Sequence, residues 1–190
     1  MDERPYRVLA DPRDADRWLL VDVERGERAS VAAAGYEGDL GDRVASLAPG
    51  NRVVAAFDWT TDPPRFARLQ VETRTRFRFV RTDEPLFEAA RQCWQAARDA
   101  GEAMNVRVTH GTDNEPNGVV YTFADGPGAD RFAEFREGRR PLDPLLDRVE
   151  RVAPPYETFV IDAGEPFVVV YVVLDPEGLL AETVRDTYLD

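Results

Sequence analysis

The densest group of chemically capable side chains lies between Arg65 and Arg81, where six arginines stand against one acid, Glu72. Its last part reads Thr73-Arg74-Thr75-Arg76-Phe77-Arg78-Phe79-Val80-Arg81. Successive side chains of a strand point to opposite faces. Arg74, Arg76 and Arg78 therefore share one face, and Thr75, Phe77 and Phe79 share the other, the expected core side. A guanidinium offers a planar fork of donors that grips phosphate or carboxylate with two hydrogen bonds. Such a stripe suits single-stranded nucleic acid, or an acidic protein surface met at a domain or subunit interface. Arg65 and Arg68 extend the basic surface, and Trp59 and Phe66, on either side of the polar loop 60–64, are the candidate stacking rings. Molar salt weakens phosphate contacts steeply, so in a salt-rich cell these rings must carry part of the affinity.

A second candidate is the loop Thr109-His110-Gly111-Thr112-Asp113-Asn114-Glu115-Pro116-Asn117-Gly118, which holds the chain's one histidine. His110 paired with Asp113 or Glu115 would do general acid–base chemistry; the plain alternative is a solvated hairpin loop. Cys93 falls on the apolar face of its helix beside Trp94 and reads as a buried structural thiol, not as a partner of His110. One histidine and one cysteine are too few for a four-ligand N/S zinc site. Gly126-Pro127-Gly128, flanked by Asp125 and Asp130, reads as a turn and helix cap. No phosphate loop, dinucleotide fingerprint or nucleophile elbow is present, so no metal or cofactor is expected and an enzyme is the less favoured reading.

The first half must position the arginine stripe with short strands. Tyr6–Leu9, Arg17–Glu24 and Arg28–Ala34 read as strands, the last two joined by a hairpin at Arg25-Gly26. Leu40, Val44 and Leu47 have helical spacing within 39–48. Arg52–Trp59 is a strand, and 66–80 a long strand or a bent pair. Three strands, a helix and two further strands is the element order of an OB-fold, which this region resembles in order alone. The expectation is an α+β protein with an OB-like small β-barrel at residues 1–82.

The second half, 83–190, reads as an acidic α+β domain. Helices are expected at 84–101 (with Asp83 as N-cap), 130–137, 143–152 and 176–188, and strands at 105–109, 118–124, 156–162 and 167–174. This suggests a duplicated α-β-β-α unit and an antiparallel sheet with helices on one face. Val168 to Val173 run without polar alternation, the mark of a central strand covered on both sides.

The 190 residues carry 36 acids and 24 basic side chains, a net charge of −12, and every basic side chain is arginine. Residues 1–82 hold 14 acids and 14 arginines, so the whole surplus belongs to 83–190. Isoleucine occurs once, at Ile161. An acidic, lysine-free, isoleucine-poor chain looks like one from a salt-accumulating haloarchaeon, where a Debye length of roughly 3 Å screens carboxylate repulsion. GC-rich codon usage would give the same arginine bias without selection on the protein. A 43% hydrophobic content excludes disorder, and the longest apolar run, 167–174, is too short to span a bilayer. A lone cysteine and no secretory signal point to the cytoplasm.

Tyr6-Arg7-Val8-Leu9, Ala48-Pro49-Gly50-Asn51-Arg52-Val53, the arginine strand and Asn117-Gly118-Val119-Val120-Tyr121 together resemble a family of haloarchaeal proteins of unknown function. That resemblance implies no activity and no catalytic residue. The favoured expectation is a non-enzymatic, nucleic-acid-associated accessory protein.

Overall fold

The computed structural model describes residues 2–189 and shows a mixed α+β fold with two five-stranded sheets and five short helices. Two compact units emerge: Met1–Arg76 with Phe135–Pro144, and Phe77–Glu134 with Leu145–Asp190. The first holds 16 acids and 15 arginines, the second 20 and 9, so nearly all the surplus charge stays in the second unit. Among the described residues no helix is long and apolar enough to cross a membrane.

The first unit contains β1 (Arg4–Ala10), β2 (Arg17–Asp22), β3 (Arg28–Ala32), α1 (Gly38–Ala45), β4 (Arg52–Asp58) and β5 (Arg65–Thr73). Its strands are ordered β3-β2-β1-β4-β5, with every ladder antiparallel. Alternation drives Val8, Leu20, Val31, Val53, Ala55 and Phe57 to one face, where Val44 and Leu47 cover them. On β5 the core residues are Phe66 and Leu69, three apart. A bulge opposite Ala56 and Phe57 absorbs the extra residue and restores the phase. The other face buries Leu9, Leu19 and Val21 against the segment 135–144. There Gly138 has φ 66°, and a Cβ on it would sit 2.6 Å from Val21 and 3.1 Å from Leu9. Glycine is needed both for that backbone and for that approach.

This sheet is open and not a closed barrel: β3 and β5 are its edges. They lie near each other, and Ala32 N–H donates to the Pro64 carbonyl at 2.9 Å, just ahead of β5.

The second unit contains most of β6 (Arg76–Arg81), then α2 (Glu88–Asp99), β7 (Met104–His110), β8 (Pro116–Ala124), most of α3 (Arg131–Arg136), the end of α4 (Asp143–Leu146), β9 (Glu157–Asp162), β10 (Phe167–Val173) and α5 (Leu179–Tyr188). Its order is β6-β9-β10-β8-β7. β10 is central and every one of its residues is buried, as its unbroken valine run predicts. The hairpins β7–β8 and β9–β10 meet through their second strands. The helices around them are unequal, since α2 has 12 residues and α4 has 4.

Helices cover both faces of this sheet, where one covered face was expected. Ala90 and Cys93 of α2 and Ala181, Val184 and Tyr188 of α5 join Phe167, Val169, Tyr171 and Val173 on one side. On the other, Phe132 of α3 meets Phe79 edge-on at 6.1 Å, and Tyr121 Oη donates to the Leu145 carbonyl at 3.1 Å.

Two boundaries differ from the sequence reading. The long 66–80 segment is a bent pair whose halves join different sheets: the strand breaks at Arg74 and Thr75, and β6 pairs beside β9. The first unit therefore ends at Arg76, ahead of the expected 82, and 135–144 belongs to it. Helix α2 starts at Glu88, not 84, and no side chain caps it locally. Tyr188 of α5 does this work from a distance. Its hydroxyl accepts from Phe87 N–H at 3.1 Å and donates to the Pro85 carbonyl at 3.0 Å. Asp83 is not the cap; Thr82 Oγ1 takes the Glu84 N–H in a tight turn.

Candidate nucleic-acid interface

The β4–β5 hairpin carries most of the predicted surface. Phe57 and Phe66, paired across it, point into the core with ring centroids 5.6 Å apart. Phe66 is only 3% exposed, so its ring is a core contact and not a stacking platform. The sequence reading missed this because the bulge changes which residues of β5 face inward. Trp59, just beyond β4, rests edge-on against Phe57 at 5.5 Å and is 63% exposed. It is the most exposed aromatic ring among the described residues.

The arginines differ in how far they are committed to other groups. Arg65 lies over the Tyr36 ring, 4.3 Å from its centroid, and donates to the Gly35 carbonyl. Tyr36 is fixed in turn, because its hydroxyl accepts from Phe66 N–H at 3.0 Å and donates to the Ala32 carbonyl at 2.8 Å. Burial pushes the Tyr36 hydroxyl pKa up, while the Phe66 hydrogen bond and the Arg65 charge oppose the rise. Arg68 reaches Glu3 at 2.9 Å from an exposed position, a pair worth little in water. Arg74 leans on the Ser46 carbonyl at 3.3 Å, and Arg76 is exposed with no hydrogen bond or ion pair among the described residues. Thr75 between them and Phe77 just after are buried, so the predicted alternation holds over 74–77.

Arg78 belongs to the second unit and is committed elsewhere. Its Nε donates to Glu157 Oε1 at 3.0 Å. Glu157 has no exposed surface, and Arg185 of α5 grips both its oxygens, Nε lying 3.1 and 3.0 Å from them. Burial alone would raise the Glu157 pKa, but hydrogen bonds from Arg185 and Arg78, with their charges, hold it below the usual carboxylate range. Arg81 is likewise engaged by Asp130 at 2.8 Å and Asp162 at 3.4 Å.

Beside β2 and β3 lies a polar cleft of about 900 Å³, which the sequence reading did not identify. Arg13, Arg17, Arg28 and Arg136 line it with Asp11 and Asp14 among its acids, and Arg17 is bound to Asp14 at 2.9 Å. Its signal in the sequence was the Asp11–Asp16 loop flanked by arginines.

The 109–118 loop closes the β7–β8 hairpin and lines a hollow with Asp175 and Leu180. Asp113 Oδ1 is occupied by Glu115 N–H at 3.0 Å, and His110 makes no hydrogen bond to Asp113, Glu115 or any other described residue. The acid–base pair is thus not assembled among the described residues. Thr109 is structural, bonding Asn117 at 2.7 Å and the Tyr171 hydroxyl at 2.8 Å. Cys93 is buried, its sulfur near the Val120 carbonyl (3.8 Å) and the Thr122 hydroxyl (3.6 Å). Burial pushes that thiol pKa up, away from nucleophilic use. Among the described residues no group of three or more His, Cys, Asp or Glu side chains is placed to hold a metal ion. Asp130 takes the Ala133 N–H at 2.9 Å, so the 126–128 turn leads into an ordinary helix start.

No curated protein and no solved structure matches this chain. A family model does match it over residues 1–190, and the chain belongs to that family, DUF6663, a family of unknown function.

Proposed function

We propose that this is a non-enzymatic accessory protein whose first unit is an OB-like module contacting single-stranded nucleic acid through the β4–β5 hairpin. The observation that carries the reading is Trp59, 63% exposed at the tip of a hairpin that also bears Arg65 and Arg68. Arg74 and Arg76 continue the surface. The strand order β3-β2-β1-β4-β5, with a helix between β3 and β4, supports the OB-like reading, in which the β3–β5 edges are the unclosed seam. In OB barrels the β2–β3 face and the β1–β2 and β4–β5 loops receive oligonucleotides. Here these are the polar cleft with Arg13, Arg17 and Arg28, and the Trp59 loop. The unit is nearly neutral, which favours polyanion approach relative to the acidic second unit. The lysine-free, acidic composition supports a salt-rich cytoplasm as the setting. There stacking outlasts charge, which is why an exposed tryptophan matters more than the arginine count.

The test is fluorescence anisotropy of single-stranded DNA and RNA oligonucleotides in molar KCl. Binding is expected, and Trp59→Ala should weaken it by about tenfold or more, since one stacked base contributes roughly 1–3 kcal/mol. Arg74→Ser with Arg76→Ser should lower affinity and flatten the salt dependence. Absence of binding, or full binding by the Trp59 variant, removes the proposal.

A second reading, a protein-interaction or structural role for the arginine strand, is favoured by one observation. Arg78 and Arg81 are both spent on carboxylates of residues 83–190. On this reading oligonucleotides do not bind, and Arg78→Ala lowers stability instead.

A further inference from the structure

The second unit carries an apolar groove of about 580 Å³ on the sheet face turned away from α2. Its floor is two cross-strand pairs, Val106 with Tyr121 and Val108 with Val119. Leu174 and Val149 line it further, and His110 stands at one end. Val106 and Val108 are each 47% exposed on β7, an edge strand. Edge strands commonly guard themselves with charge or proline, and an apolar pair left open there is a marker of a binding surface.

The segment 148–151 forms the rim opposite. Arg148 and Arg151 line the groove with one acid, Glu150, leaving a net single positive charge. Neither arginine makes an ion pair or hydrogen bond among the described residues. Four of the nine arginines of this unit, Arg78, Arg81, Arg131 and Arg185, are paired to carboxylates, and Arg148 and Arg151 are not among them. Arg151 also holds a left-handed backbone, φ 71°, which costs a non-glycine residue energy and recurs where a side chain must be presented to a ligand. Volume, apolar floor and a few convergent polar groups are the features of a small-molecule site.

We infer that this groove binds a small amphipathic anion: an apolar chain lies along Val106, Val108, Val119 and Tyr121, and its single carboxylate is held by Arg148 and Arg151. The site is independent of the nucleic-acid proposal, which concerns the other unit.

The experiment is a titration of the full-length, isotopically labelled protein with sodium octanoate, followed through the valine methyl resonances. Octyltrimethylammonium, with the same chain and the opposite charge, is the control. Saturable one-to-one shifts at Val106, Val108, Val119 and Val149 are expected with octanoate and not with the cation. Arg148→Ser with Arg151→Ser should weaken octanoate about tenfold, as loss of charged hydrogen bonds does. Val108→Asp, at an exposed position that folding tolerates, should abolish the shifts while leaving the circular dichroism unchanged. Absence of saturable shifts, equal response to the cation, or unaltered binding by the double arginine variant overturns the inference. So does a titration in which an extended acidic peptide protects the amides of 104–110 and octanoate has no effect.

Discussion

Arg7 in the first unit and Glu157 in the second are both shut away from water, and they are answered in different ways. Arg7 donates to Asp143 at 2.6 and 3.2 Å and to the Gly50 carbonyl at 2.8 Å. Its carboxylate is nearly as buried as it is, with side-chain exposures of 7% and 9%. Glu157 is answered by Arg78 and Arg185, which both keep about a third of their surface in water. The chemistry of the two ions explains why this matters. A guanidinium cannot shed its charge at any accessible pH, so a buried arginine requires a counter-charge permanently. A carboxylate has an escape, since it can take a proton. Both sites join arginine to a carboxylate, so what differs is which member is wholly enclosed: at Glu157 it is the one that acid can discharge.

Removing each partner tests this contrast. The largest effect is expected from Asp143→Ala, which leaves Arg7 without its carboxylate and should cost about 3–5 kcal/mol in denaturant unfolding. If the cost comes from the stranded charge, the joint replacement Arg7→Met with Asp143→Leu should recover most of the loss. A smaller effect, about 2 kcal/mol, is expected from Glu157→Gln, because the half-exposed arginines left behind can turn to water. That variant also carries the pH signature. The native Glu157 pKa lies below its unfolded value, so its contribution is complete above about pH 4.3 and fades as pH falls through the native value. Stability measured from pH 6 down to 2 should show a shallower acid limb in Glu157→Gln than in the parent; identical limbs would place the acid sensitivity elsewhere. The smallest effects belong to single arginines. Arg185→Ala, which removes several bonds, should cost about 1.5 kcal/mol, and Arg78→Ala, which removes one, about 1 kcal/mol or less. Reversal of that order would show that the β6 arginine, not the α5 one, holds Glu157 ionised.

Much of the local architecture was legible in the residues. The Gly26 hairpin, the α1 helix and the central position of β10 all follow from turn chemistry and periodicity, which act over a few residues. The exposed alternation of Arg74 and Arg76 was legible for the same reason. What escaped depends on distant partners. The start of α2 is set by Tyr188, 101 residues away, and no local pattern announces it. Arg78 looked equivalent to Arg76 until Glu157, 79 residues away, claimed it. Phe66 read as a surface ring because a bulge in β5 is invisible in composition. The segment 135–144 read as part of an acidic helical domain, although its role is set by Gly138 against Val21 and by Asp143 against Arg7. Sequence patterns disclose which side chains are capable, and tertiary contacts decide which of them are free.

The Arg7–Asp143 pair also bears on how the chain is made. It joins residues 136 positions apart, and the cap on α2 joins residues 101 apart. A ribosome synthesises from the N-terminus, so the five strands of the first sheet emerge long before the residues that shield Leu9, Leu19 and Val21 and neutralise Arg7. During that interval the nascent first unit exposes an apolar sheet face with an unanswered charge within it. Its completion waits until the chain has passed residue 143, and that of the second unit until it has passed 188. Folding of the first unit is therefore coupled to the synthesis of residues 135–144, and the open sheet face of the early chain is what a chaperone would meet.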